Sequence, residues 1–207
     1  QVFEAPTVAG LAVLAKAVEE NTNDGRIDVR SHDEVAKLGL DPSVVEDAYP
    51  ATALQAGMLY HALAEPERRA YLNQLRVRLH GRLDVAALRA AWQAAMDRHP
   101  VLRTRFDWQR AGGPWQIVQR RVELPFAVHD WRDGRADLAR LDACCEQDLA
   151  AGFDVGMAPL LRVAVYLSGA DQAELVWTHH HLLLDGWSTA SLLAEILRDY
   201  HARSAGR

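Results

Sequence analysis

Cysteine is scarce in this chain: there are two, Cys144 and Cys145, side by side. Neighbouring cysteines make poor structural bridges, so both are expected as reduced thiols of a cytosolic protein. No apolar run approaches the ~20 residues that a bilayer-spanning helix requires. A basic run is also missing, and the formal net charge is −5. That balance argues against nucleic acid or an anionic membrane as the main partner. The opening QVFEAPTVAG has no methionine at position 1, no basic n-region and no apolar h-region. It reads as neither a natural start nor a signal peptide, and a segment of a longer polypeptide is expected. There is no internal repeat, no low-complexity tract and no GxSxG nucleophile elbow.

What is present suffices for a packed core. The 207 residues are 49% hydrophobic and 25% charged, enough for one substantial domain or two small ones. Residues 7–19 read as a short helix, with Thr7 as its cap and Val8, Leu11, Ala15 and Val18 on one face. The polar stretch NTNDGRIDVRSHD then reads as a linker, and a second helical stretch is expected near residues 34–38. From Pro50 onward helices and strands alternate. Thr52 is placed to cap a helix holding Leu54, Met58 and Leu59. Gly57 within it costs about 1 kcal/mol relative to alanine, so close packing is expected there.

Leu75, Val77 and Leu79 alternate with Arg76, Arg78 and His80, the pattern of a half-buried strand. Asp84 is placed to cap an amphipathic helix with Val85, Leu88, Trp92, Ala95 and Met96 inward. Strand-like runs follow near 101–108, 114–119 and 125–129, and a helix carries Leu138, Leu141, Cys145 and Leu149. LLRVAVYL and AELVWTHH read as two further strands, and a last helix begins near Ser188. The pattern predicts an α/β sandwich with a mainly antiparallel or mixed sheet.

The stretch THHHLLLDGWS (178–188) concentrates the chemistry. In a strand, Leu175, Trp177, His179 and His181 fall on one side and Val176, Thr178 and His180 on the other. Three imidazoles therefore cannot converge on one metal, and neither cysteine is near in sequence. The structural alternative has His179 and His180 satisfied by backbone hydrogen bonds and Asp185 capping the next helix. A nucleophile relay lacks an evident activated serine. A transferase using one histidine as proton acceptor remains.

HHLLLDG (180–186) resembles the HHxxxDG signature of nonribosomal peptide synthetase condensation domains. YPATALQAGMLYH (49–61), RHPVLRTRF (98–106) and FDVGMAPLLRV (153–163) resemble further motifs of that family, in the same order. FEAPTVAGLA (3–12) resembles the closing helix of a peptidyl carrier domain. The resemblance implies three segments: the carrier tail at 1–20, a carrier-to-condensation linker at 21–48, and the N-terminal lobe of a condensation domain at 49–207. It also implies a chloramphenicol-acetyltransferase-like lobe, whose C-terminal counterpart would complete the domain.

The activity so implied is amide bond formation between a donor peptidyl or aminoacyl thioester and an acceptor aminoacyl thioester. Both would ride on 4'-phosphopantetheine arms of an upstream and a downstream peptidyl carrier domain, loaded by adenylation domains. No cofactor or metal is expected on the chain itself. His181 is the catalytic residue implied by the motif, with His180, Asp185 and Gly186 supporting. An unperturbed histidine titrates near ~6.5, suited to taking a proton at neutral pH. Gly186, lacking a Cβ, is expected to let backbone approach the reacting centre. Asp185 is expected to be structural, pairing with Arg103 or, failing that, Arg98. The alternatives are an epimerization domain, which carries the same signature, and a non-catalytic condensation-like recruitment domain.

Overall fold

The structure, a computed structural model, describes residues 32–65, 69–110, 112–133 and 138–206. The helix read at 7–19 lies outside the described residues, as do residues 21–31. The first described element is α1 (His32–Lys37), followed by strand β1 (Val45–Pro50). Val35 is buried with Val45, Ala48 and Ile117 in a small core of its own. Helix α1 and the first residues of β1 thus lie within the stretch 21–48 that the sequence suggests is linker.

Helix α2 (Ala53–Ala64) starts as its sequence dictates. Thr52 accepts from the Gln55 backbone N–H while the Gln55 side chain accepts from Thr52, a reciprocal capping box. Met58 and Leu59 are buried beneath it. Gly57 departs from expectation: a Cβ there would meet nothing within 4 Å. It lies on the outward face, with Leu54 and Tyr60, which are 70% and 69% exposed.

Strand β2 (Leu72–His80) leads to α3 (Val85–Arg98), and the Asp84 carboxylate accepts from the Ala87 N–H to begin that helix. A 3-10 turn (Pro100–Arg103) replaces the start of the strand expected from residue 101, because Pro100 cannot donate to a ladder. The chain continues through β3 (Thr104–Asp107), β4 (Trp115–Gln119), β5 (Phe126–Asp130), α4 (Leu138–Ala151), β6 (Leu161–Leu167), β7 (Gln172–His180) and α5 (Gly186–Ser204). Gly112 and Gly113, with φ of 89° and 113°, turn β3 back onto β4, a path that L side chains resist.

The strands divide between two sheets, one more than the pattern suggested. One is antiparallel, in the order β1-β4-β3; the other runs β2-β7-β6-β5, with β5 and β6 parallel and the other pairs antiparallel. Strand β7 is an inner strand buried from Ala173 to His180, so its run of Leu175, Val176 and Trp177 is apolar on both faces. On one face Leu175 and Trp177 join Leu88 and Trp92 of α3 and Leu192 and Ile196 of α5. Trp92 and Trp177 meet edge to face with ring centroids 4.9 Å apart. On the other face Val176 packs with Tyr166, Trp131, Leu141 and Cys145, which seats α4. Each such fully buried side chain contributes roughly 1.5–3 kcal/mol. Both cysteines are free, Cys145 buried and Cys144 half-buried.

Candidate active site

The three histidines stand where the central strand ends. Register pairs Asn73 with His179 and Leu72 with His180 across β2, and Leu161 with His179 across β6. Two backbone bonds finish the ladder: His180 N–H to the Leu160 carbonyl at 2.9 Å and His181 N–H to that of Tyr71 at 2.7 Å. A turn closed by Leu183 N–H on the His180 carbonyl (3.1 Å) then folds Leu182, Leu183 and Leu184 into the main core. The apolar triplet anchors the loop, and this holds the flanking histidines and Asp185 in place.

Each imidazole receives a different environment. His180 is 2% exposed, and its Nδ1 accepts the Leu182 N–H at 3.1 Å, which leaves the ring proton on Nε2. It also walls a pocket of about 420 Å³ shared with Leu63, Leu72 and Phe153. His179 is 1% exposed and tilts against Trp177 with centroids 4.7 Å apart. Burial, and secondarily the charge of His181, pushes His179 and His180 down to about 4, so both are neutral at pH 7. His181 is half-buried, one residue past the strand, with Nδ1 3.2 Å from the Asn73 carboxamide. Of the three, it is the one that is not buried.

Asp185 is exposed and caps α5. Its carboxylate accepts the Ser188 N–H at 2.7 Å, which holds its pKa below the usual range, and its carbonyl accepts the Thr189 hydroxyl at 2.7 Å. The pairing expected with Arg103 is not made. Arg103 is 4% exposed in the 3-10 turn, where it bonds Glu46 at 2.7 Å and the carbonyls of Met96, Asp97, Gln119 and Arg120. Arg98, the next expectation, pairs with Glu195 of α5. Both guanidiniums are taken by other acceptors, and Asp185 is satisfied by the helix it starts. Gly186 sits in the first turn of α5, and a Cβ there would meet nothing within 4 Å.

Sequence reasoning did not single out Asn73, Gln55 or Thr189. Gln55 Nε2 donates to Gln116 Oε1 (2.9 Å) and to the Leu182 carbonyl (3.2 Å), tying the start of α2 and the smaller sheet to the histidine turn. Gln55 was legible as a capping residue, from Thr-x-x-Gln, but not as a support for the turn. Asn73 and Thr189 carry no local signal. Among the described residues, no group of three or more His, Cys, Asp or Glu gathers as metal ligands.

Comparisons with known proteins bear on this arrangement. A linear gramicidin synthase of Brevibacillus parabrevis is 40% identical over 172 residues, covering 82% of this chain and 3% of that protein. Bacitracin synthase 3 of Bacillus licheniformis is 30% identical over 174 residues, covering 83% of this chain and 3% of that protein. The chain thus spans a small part of the curated relatives that it matches. Among solved structures, the starter condensation domain of rhizomide synthetase has a TM-score of 0.70 at 21% identity, covering 77% of this chain and 40% of that one. The first condensation domain of the calcium-dependent antibiotic synthetase gives 0.71 at 18% identity, covering 79% and 41%. These likenesses share the mixed, mainly antiparallel architecture flanked by helices. The condensation domain family model matches residues 45–207, from the first residue of β1 through the histidine turn and α5, and the chain belongs to that family.

Proposed function

We propose that this chain is the N-terminal lobe of a condensation domain that joins two carrier-bound thioesters by an amide bond. The observation that carries the reading is the histidine turn, where two rings are buried and neutral and His181 alone is partly exposed. The acceptor amine attacks the donor thioester carbonyl, the C–N bond forms and the C–S bond breaks. The amine gives up a proton and the departing thiolate takes one. His181 orients the amine and takes that proton as the tetrahedral intermediate forms. A free α-amino group titrates near ~7.7–8, so part of the acceptor is already neutral and the demand on the base is modest.

The substrates are carried on 4'-phosphopantetheine arms of upstream and downstream peptidyl carrier domains, loaded by adenylation domains. Residues 1–20 are read as a carrier tail and the stretch after it, within 21–48, as the linker. A second lobe supplies the other wall of the tunnel, where positioning and exclusion of water provide much of the rate. The reading places the protein in the cytoplasm, in keeping with its two free cysteines. Among the described residues no helix is long and apolar enough to cross a membrane.

The test is His181→Ala in a synthetase that contains this chain, with the carrier-bound species followed by mass spectrometry. Loading of both carriers is expected to persist while peptide formation falls roughly 10²–10⁴-fold. Peptide formation near the wild-type rate would remove His181 from the chemistry. A change in donor configuration without peptide would point to epimerization.

A further inference from the structure

The ring of His181 can serve as a proton acceptor at Nε2 only if its own proton sits on Nδ1. Nδ1 lies 3.2 Å from one end of the Asn73 carboxamide, the Nδ2 position, and the same end lies 3.5 Å from His179 Nε2. A carboxamide turned by half a revolution exchanges nitrogen for oxygen at nearly the same place, so its hydrogen bonds decide which end is which.

Two neighbours decide it here. His179 Nδ1 is buried and has no hydrogen-bond partner among the described residues. A proton on that nitrogen would be a buried donor left unpaired, which is costlier than a bare lone pair. His179 is neutral, so its proton belongs on Nε2. The Thr189 hydroxyl, 3.4 Å from that nitrogen, already gives its hydrogen to the Asp185 carbonyl at 2.7 Å. Its oxygen can therefore only accept from His179, which agrees with Nε2–H. An Nε2–H facing an NH2 group would set donor against donor. The end of Asn73 that faces both histidines must then be the oxygen.

We propose that Asn73 is a positioning residue: its carboxamide oxygen accepts Nε2–H of His179 and Nδ1–H of His181, and so leaves His181 Nε2 bare. His181 then presents a lone pair outward, while His180, with Nδ1 on the Leu182 N–H, is held in the opposite tautomer. The order Asp185 carbonyl, Thr189, His179, Asn73, His181 gives the first histidine of the triplet a purpose although it touches no substrate. The inference rests on the role proposed for His181, but the tautomer itself is open to measurement without catalysis.

The experiment is a nitrogen–proton two-bond correlation spectrum of the 15N-labelled 207-residue chain, recorded well above the ~6.5 of an unperturbed histidine. The wild type is expected to show His181 protonated at Nδ1 and His179 at Nε2. Asn73→Leu, which removes the acceptor, should move the His181 proton toward Nε2, and Asn73→Asp, which keeps an acceptor oxygen, should restore Nδ1–H. In the synthetase, peptide formation should fall on the order of 10²-fold for Asn73→Leu, with most of that loss recovered by Asn73→Asp. A wild-type His181 protonated at Nε2 overturns the proposal without recourse to any variant. An Nδ1–H signal that survives in Asn73→Leu also overturns it. If Nδ1–H is found but His181→Ala still forms peptide, the tautomer stands and the functional reading of His181 falls.

Discussion

Arg103 and Glu46 meet at 2.7 Å, with the guanidinium 4% exposed and the carboxylate 39% exposed. The pair is lopsided: the arginine is a buried hub for four backbone carbonyls, and the glutamate closes the solvent side. Arg103→Met should therefore cost about 3–5 kcal/mol, because it strips the partners from buried acceptors. Glu46→Gln should cost less than about 1 kcal/mol. Urea unfolding of the two variants checks the ranking, and equal losses would contradict it.

The two buried histidines predict acid sensitivity. Their folded pKa values, about 4, lie below the ordinary 6.5, so between those values the unfolded chain binds protons that the folded chain does not. Stability is then full above ~6.5 and falls as the pH drops toward ~4, by about 3 kcal/mol for each histidine. Asp185, whose pKa is lowered from 3.8, loses its contribution only below this window. Denaturation midpoints across the range should fall steeply in the wild type and flatten in a His179→Gln, His180→Gln double variant. An unchanged slope in the double variant would assign the acid loss elsewhere.

His180 and His181 should separate stability from activity. His180→Ala frees the buried Leu182 N–H and opens space at the strand end, which should cost roughly 1–3 kcal/mol. His181→Ala should leave the melting temperature near wild type, since its ring is half-buried and held by a single carboxamide. Peptide formation should follow the reverse order, with His181→Ala the more damaging. Thermal melts and carrier mass spectrometry on the same two variants decide this.

Asp185 is a helix cap, so its tolerance should follow capping chemistry. Asparagine also accepts from the third N–H of a helix, and Asp185→Asn should melt close to wild type. Asp185→Ala should melt measurably lower. A large loss for Asp185→Asn would instead indicate a buried ion pair that this geometry does not contain.

The outward face of α2 presents Leu54 and Tyr60, and Trp187 at the start of α5 is 84% exposed. Such apolar surface favours association in water. Sedimentation of the isolated chain should show concentration-dependent self-association that Leu54→Lys with Tyr60→Lys reduces. Supplied with loaded carriers, the isolated chain should yield no peptide. Turnover near that of an intact domain would contradict the two-lobe reading.

Much of this protein was legible without a fold. The alternation in β2, the caps at Thr52 and Asp84, the two-sided alternation in β7 and the HHLLLDG signature are short-range patterns. Local sterics and hydrogen bonding impose them within a few residues. The partner of Arg103 was not legible, because Glu46 lies 57 positions away and is brought near only by the pairing of β1 with β4. Nor was the contact of Asn73 with His181, 108 positions apart, which depends on β2 lying beside β7 in one register. A slip of one residue would turn Asn73 to the other face. The sequence by itself determined which groups could do chemistry and where the capped helices α2 and α3 begin. The tertiary structure decided which imidazole is left half-buried, which are silenced by full burial, and which side chain holds the half-buried one, because strand order and register, unlike local period, are settled only when the whole core closes.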